Sequence, residues 1–340
     1  MKEIDPTAPT KSGGSFWRTA LINLIVFFCL LGGMEIAARI YIAWVYGSQT
    51  AGLQQRTQYL SYRPFVMYGP DWDNRLGSRT KTEAGVCRVM LVGGSTAANF
   101  PIDILERALS LHYSKKFEVI NAAYDGYGAR QEVVVAALWG PRLEPHFLLS
   151  LDGANDLEHR LRVSKSGGFY LSSTFQTFLT HPLLAPFYYL ASQSQMYNAM
   201  QRLLARRNVG SAEQYADAIP IFINAQKSLN DLARGMGIAR LMVLQPFSAY
   251  KIPLSKEEAD FTLFKYREEV IKALYAKTNE QLSAMSQRDA VPYLDSRFIY
   301  NNVAGHIFTD DVHLTPEGYR RLAEAIAAAM AAFWPAQCAS

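Results

Sequence analysis

Arg88-Val89-Met90-Leu91-Val92-Gly93-Gly94-Ser95-Thr96-Ala97 is the stretch on which the fold turns. A short apolar run without alternation suits a strand buried on both faces, as in a parallel sheet. The paired glycines end the run. They allow a sharp turn and close backbone approach, and they leave Ser95 at the strand's carboxyl end. The turn lacks the Gly-Lys-Ser/Thr of a P-loop and the full pattern of a dinucleotide site. It also departs from GxSxG, because Ala97 stands where the last glycine belongs. On these residues alone a phosphate-binding turn and a nucleophile turn are equally open.

Outward from this strand, helix and strand patterns alternate. Helices are expected over 102–113, with Pro101 near the start, over 129–139, 213–235 and 257–287. Strands are expected over 117–121, 147–151, 240–244 and near 291–294. Thr315-Pro316-Glu317 opens a last helix with a hydroxyl cap, a proline in the first turn and an acid near the positive dipole end. Its apolar positions Tyr319, Leu322, Ile326, Met330 and Phe333 recur at helical spacing, and Pro335 marks its end. Repeated β-α-β order predicts an α/β fold, an open parallel sheet with helices on both faces. Such sheets bind ligands beyond the carboxyl ends of their strands.

Three more strand-end loops hold polar groups of chemical interest. Asn121-Ala122-Ala123-Tyr124-Asp125-Gly126-Tyr127-Gly128 follows the second strand; a glycine near a helix start can aim its N–H at an anion, and an ordinary strand-to-helix turn has the same composition. Asp152-Gly153-Ala154-Asn155-Asp156 follows the third; the asparagine amide is a neutral donor suited to an oxyanion, or simply an Asx turn. Asp310-Asp311-Val312-His313 precedes the last helix; a carboxylate three residues before a histidine can fix its tautomer and stabilise the imidazolium. A histidine alone there is more often structural.

The conjunction of the four, in the order Ser, Gly, Asn, Asp-x-x-His, resembles the SGNH (GDSL-like) hydrolase superfamily. The matching residues are Gly94-Ser95, Gly126, Gly153-x-Asn155-Asp156 and Asp310-x-x-His313, within a resemblance covering about residues 86–333. The anchor described below, together with Gly93-Gly94-Ser95-Thr96, looks like the bacterial membrane-associated members. Two positions depart from the family's pattern: Gly94 stands where many members carry aspartate, and Ala123 replaces a glycine common early in the second block. The resemblance implies a flavodoxin-like sheet and a triad of Ser95, Asp310 and His313. It also implies an oxyanion hole from the N–H groups of Ser95 and Gly126 and the amide of Asn155. No metal or organic cofactor is implied. The activity implied is that of a serine esterase or deacylase on an O-acylated envelope glycan or lipid. An O-acyltransferase of polysaccharide acetylation uses the same groups, and a non-catalytic envelope scaffold is the reading from another class.

The chain of 340 residues is 49% hydrophobic and 19% charged, with a net charge of +4. These are globular values, and no run of five like charges gives a nucleic-acid footprint. Arg202, Arg206 and Arg207 fit a solvated helix face as well as they fit an acidic partner. Residues Thr19 to Met34 are uncharged. A helix from about Trp17 to Tyr46 would be roughly 45 Å long, enough to cross a hydrocarbon core of about 30 Å. Glu35 and Arg39 share a face of it and can pair, while Trp17, Tyr41, Trp44 and Tyr46 suit the interfaces. A signal peptide fits less well, since the apolar run is long and no small-x-small cleavage site closely follows it. The expected organisation is a tail at 1–16, a single transmembrane anchor at 17–47, a connector at 48–85 packed on the domain, and a hydrolase domain at 86–335 with an insertion at about 157–212. The domain is expected outside the cytoplasm, in contact with its acylated substrate and with room for an envelope protein partner. Within the insertion, 166–201 carries no Asp, Glu, Lys or Arg but many aromatics. It reads as packed core, or as a lid or membrane-facing surface.

Cys29 lies in the apolar run and reads as packing there; Cys87 and Cys338 form no zinc-like cluster with histidine in sequence. In the fold that the resemblance implies, the last helix packs near the first strand, so a Cys87–Cys338 disulfide is expected in an oxidising compartment, with a frayed tail thiol as the alternative.

Overall fold

The computed structural model describes residues 13–46, 62–76, 83, 85–157, 180, 181, 183, 187, 191, 194–197, 211–259, 268–330 and 338. The chain falls into two units, Met1–Thr57 with His181–Arg207, and Gln58–Thr180 with Asn208–Ser340.

The first unit is built on helix α1, Gly13–Tyr46. Its segment Phe16–Ile40 has a mean hydropathy of 2.1, long and apolar enough to cross a membrane, and its apolar side chains lie exposed. Cys29 is exposed too, contrary to the expectation that it packs against neighbours. An acid in so apolar a helix needs partners. Glu35 accepts from Arg39 Nε at 2.9 Å, as the spacing predicts. It also accepts from Ser194 Oγ at 2.7 Å and from the N–H groups of Gln195 and Met196 at 2.9 and 3.1 Å. The side chains of Tyr41, Trp44 and Tyr46, and most of 157–212 with its aromatic segment 166–201, lie outside the described residues.

In the second unit the connector forms a small hairpin, β1 (Tyr62–Arg63) with β2 (Met67–Tyr68), and a helical turn α2 (Trp72–Leu76). Val66, Tyr68, Trp72 and Leu76 are buried with Met90 and Val92, so this segment belongs to the core. The domain proper continues through β3 (Val86–Gly93), α3 (Ser95–Ala98), α4 (Ile102–Tyr113), β4 (Lys116–Asn121), α5 (Ala129–Leu143) and β5 (Phe147–Asp152). After the insertion come α6 (Ala212–Tyr215), α7 (Ala218–Gly235), β6 (Ala239–Leu244), α8 (Lys256–Ala259), α9 (Glu268–Asp289), β7 (Tyr293–Asp295) and α10 (Pro316–Met330). The sheet order is β4-β3-β5-β6-β7, every pair parallel. That is the 2-1-3-4-5 order of flavodoxin-like sheets.

Side chains alternate across the sheet, so each strand feeds two cores. Val89 and Leu91 face α4 and α10, against Leu105, Leu109, Leu322 and Ile326. Met90 and Val92 face α5 and α7, against Val135, Ala136, Leu229 and Ala233. Farther along the same face, Met242 and Leu244 meet Phe222, Leu274 and Leu282.

Several boundaries differ from expectation, among them the helix expected over 213–235, which is divided into α6 and α7. Helix α5 runs past Trp139 through Gly140 and Pro141 to Leu143. A proline there removes one bond in the last turns, and burial of Gly140 and Leu143 holds the helix on course. The long helix expected over 257–287 is α8 and α9, with 260–267 outside the described residues. The last strand starts two residues later than expected and ends one later, at Tyr293–Asp295.

Cys87 and Cys338 form a disulfide, with Cα atoms 5.5 Å apart. Both are buried, at the amino end of β3, away from Ser95. His146 lies within 4.8 Å of both sulfurs. Its Nδ1 accepts the Arg88 N–H at 3.0 Å, and the sulfurs are spent on each other, so the trio is closed.

Candidate active site

Ser95 opens α3 directly after β3, so its N–H has no partner within the helix. Its Oγ lies 2.7 Å from Nε2 of His313. Nδ1 of the same ring lies 2.6 Å from Oδ2 of Asp310. The other oxygen of Asp310 accepts the N–H groups of Val312 and His313 at 2.9 and 2.8 Å. Burial pushes the Asp310 carboxyl up, but the bond and charge of His313 and the two backbone donors outweigh it and hold the group below its usual range. An anionic Asp310 at Nδ1 places the ring proton there, and the Nε2 lone pair faces the Ser95 hydroxyl. Asp311 points elsewhere: its carboxylate takes a long bond of 3.5 Å from Ser248 Oγ, and its carbonyl accepts Ser248 N–H at 2.9 Å.

The histidine sits on a tight loop. Phe308 bridges Leu314, the N–H of Thr309 donates to the His313 carbonyl at 2.9 Å, and that of Thr315 to Ile307 at 2.8 Å. The Thr315 hydroxyl accepts Gly318 N–H at 3.2 Å, the N-cap expected for α10. Thr96, which the sequence reading left without a role, ties this loop to the serine turn. Its hydroxyl donates to the Val312 carbonyl at 3.2 Å and accepts from Gln245 Nε2 at 3.2 Å, while its carbonyl accepts from Tyr319 OH at 3.0 Å.

On the other side of Ser95, Gly126 adopts φ 75°, open to glycine at little cost. Its loop is pinned by Tyr124 N–H on the Gly93 carbonyl at 3.1 Å and by Asn155 Nδ2 on the Tyr127 carbonyl at 2.8 Å. An amide nitrogen carries two hydrogens, so Asn155 keeps a second donor. A Cβ on Gly94 would lie 2.1 Å from Asn155 Nδ2. In this chain the position where the resembling family often has aspartate must stay glycine for the asparagine to stand where it does. Tyr127 OH donates to the Tyr68 carbonyl at 2.6 Å, which brings the connector hairpin to the back of the loop.

Beneath the loop, Asp156 accepts the N–H of Ala129, first residue of α5, on both oxygens at 3.1 and 3.2 Å. Burial, then the charge of Asp152, pushes the Asp156 carboxyl up to about 8. Glu132 is raised well above its usual range by burial and by Asp152, and Asp152 is raised by burial. Burial pulls Arg240 down to about 10 against the attraction of Asp152 and Glu132. Asp156 is visible in sequence beside Asn155; Glu132 and Arg240 carry no local signal.

No protein-family profile matches the chain, and no curated protein matches it. Solved structures do. The acetylxylan esterase Axe2 of Geobacillus stearothermophilus aligns at 12% identity over 72% of this chain and 94% of its own, with a TM-score of 0.43. The lipase Lip_vut3 from a goat rumen metagenome aligns at 10% over 72% and 97%, with a TM-score of 0.46. A provisionally named acylhydrolase of Bacteroides fragilis aligns at 15% over 76% and 94%, with a TM-score of 0.44. At such identities the residues themselves have to carry the chemistry.

Proposed function

We propose that the chain is a membrane-anchored serine ester hydrolase of SGNH type. The observation that carries this is the pair of bonds running from Ser95 Oγ through the His313 ring to Asp310, 2.7 and 2.6 Å long. His313 takes the Ser95 proton as Oγ attacks an acyl carbonyl. The oxyanion forms against the N–H groups of Ser95 and Gly126 and the second hydrogen of Asn155. The tetrahedral intermediate collapses, His313 gives its proton to the departing alcohol, and the acyl group stays on Ser95. Water or a sugar hydroxyl, deprotonated by the same ring, then releases it.

An O-acylated envelope glycan or lipid is the substrate class in this reading. The apolar helix α1 serves as a single-pass anchor, and the domain lies outside the cytoplasm. The Cys87–Cys338 bond supports that side of the membrane, because disulfides persist in oxidising compartments.

The test is labelling of the purified protein with a fluorophosphonate and turnover of p-nitrophenyl acetate. Wild type is expected to label, and Ser95→Ala to lose labelling and at least about three orders of magnitude in turnover. Equal labelling of both proteins removes Ser95 from the mechanism. Hydrolysis that persists only when an acceptor oligosaccharide is withheld assigns the acyl group to a sugar rather than to water.

A further inference from the structure

Ser255-x-x-Glu258 is in sequence an ordinary capping box, and the structure contains that box. Ser255 Oγ accepts the Glu258 N–H at 3.3 Å, and Glu258 Oε2 accepts the Ser255 N–H at 2.7 Å. A capping acid is normally solvated, yet Glu258 is 2% exposed. It does more than cap. Its Oε1 accepts two successive backbone donors, Ile307 N–H at 2.8 Å and Phe308 N–H at 2.9 Å. Its Oε2 is paired with Lys251 Nζ at 2.6 Å. The ammonium spends its remaining hydrogens on the carbonyls of Pro253, at 2.8 Å, and Gly305, at 3.1 Å. Four acceptor positions and three donors are thereby satisfied out of contact with solvent.

The segment so gripped, 305–308, is the root of the loop that holds Asp310 and His313. Phe308 forms the bridge to Leu314, and Ile307 accepts from Thr315, immediately either side of the acid–base pair. A buried ion pair is poor evidence of stability, since apolar residues of like size often serve as well. Apolar residues cannot take two backbone N–H groups and set their place. We propose that Glu258, held by Lys251, is a positioning residue that fixes the register of the Asp310–His313 loop against Ser95. This rests on the hydrolase reading for its catalytic consequence. The geometry it sets does not depend on that reading.

The experiment compares an acceptor with none in a background freed of the buried cation. Lys251→Met/Glu258→Gln retains a carbonyl oxygen for Ile307 and Phe308; Lys251→Met/Glu258→Leu has none. A third variant, Glu258→Asp, keeps the ion pair and draws it back by one methylene, and serves if the leucine variant does not fold. Two readouts are taken on the full chain in detergent: fluorophosphonate labelling across pH, and the downfield Nδ1 proton resonance of His313. The glutamine variant is expected to keep the resonance and label within about threefold of wild type. The leucine and aspartate variants are expected to lose or shift the resonance and label at least about tenfold slower, with the inflection moved to lower pH because the imidazolium loses Asp310. An unmoved resonance in those two variants overturns the proposal. A wild type that never labels removes the hydrolase reading, while the resonance still decides the clamp.

Discussion

Asn155 uses one nitrogen for two purposes. One hydrogen closes the Gly126 loop onto the Tyr127 carbonyl, and in the proposed mechanism the other meets the oxyanion. Replacing Asn155 by alanine removes both, so its effect exceeds that of a lost donor alone. A single donor is worth about 3–4 kcal/mol in the barrier. Asn155→Ala is therefore expected to lower kcat on p-nitrophenyl acetate by at least about 10²-fold, with KM changed far less and the fold intact by circular dichroism. A kcat within a few fold of wild type would remove Asn155 from the oxyanion site. The residues that sequence alone grouped were legible for two reasons: Ser95 and Asn155 are distinctive types just past apolar runs, and Asp310 and His313 form an Asp-x-x-His pair just ahead of a helix start. Thr96 and Glu258 were not. Their decisive partners, Val312 for Thr96 and Ile307 with Phe308 for Glu258, are far away along the chain, and no local pattern encodes such a pairing.

Among the elements, legibility followed length and period. Helices α4, α7 and α10 declare one apolar face, and β3 and β5 are mostly apolar and buried throughout. The connector hairpin has strands of two residues, and Phe65 and Met67 take φ of 70° and 68°, a conformation neither residue favours on its own. Burial of Val66 and Tyr68 decides its shape, so propensity had nothing to say. Glu35 is similar: Arg39 one turn on could be read, whereas the three donors from Ser194, Gln195 and Met196 could not. The Cys87–Cys338 link joins the start of β3 to the chain beyond α10 across a separation of 251 residues. Peptide mapping without reductant, on protein taken from its native compartment, is expected to recover a crosslinked Cys87–Cys338 pair. Cys87→Ala/Cys338→Ala is expected to cost about 2–5 kcal/mol of unfolding free energy, read from a denaturant midpoint. Free Cys87 and Cys338 peptides from that compartment would count against both the bond and an extracytoplasmic domain.

At the scale of the whole molecule, the net charge of +4 is unremarkable, and the electrostatic tension is internal. Glu132, Asp152 and Arg240 are buried and Asp156 is half-buried, three acids against one base. Each acid holds its proton to higher pH in the folded chain than in the unfolded one, where carboxyls titrate near pH 4. From about pH 4 upward the native state therefore binds more protons than the unfolded state, and stability falls as pH rises, with the Asp156 contribution complete above its value of about 8. Asp310 and Glu258 work in the opposite sense, since their pKa values are lowered; that stability is complete above the carboxylate range and is lost only in acid. His146, pulled down by burial and by Arg88, also favours higher pH, but only below its unfolded value of about 6.5. Between pH 6.5 and 8.5 the acids of this cluster contribute a falling slope. The urea midpoint is expected to fall across that window. Asp156→Asn keeps an oxygen for the Ala129 N–H and removes one titration, so its midpoint should fall less steeply and gain on wild type as pH rises. A wild-type midpoint that climbs from pH 6.5 to 8.5, or an Asp156→Asn profile parallel to it, would mean that Asp156 is already ionised at neutral pH and that the cluster beneath the oxyanion loop is relaxed by other means.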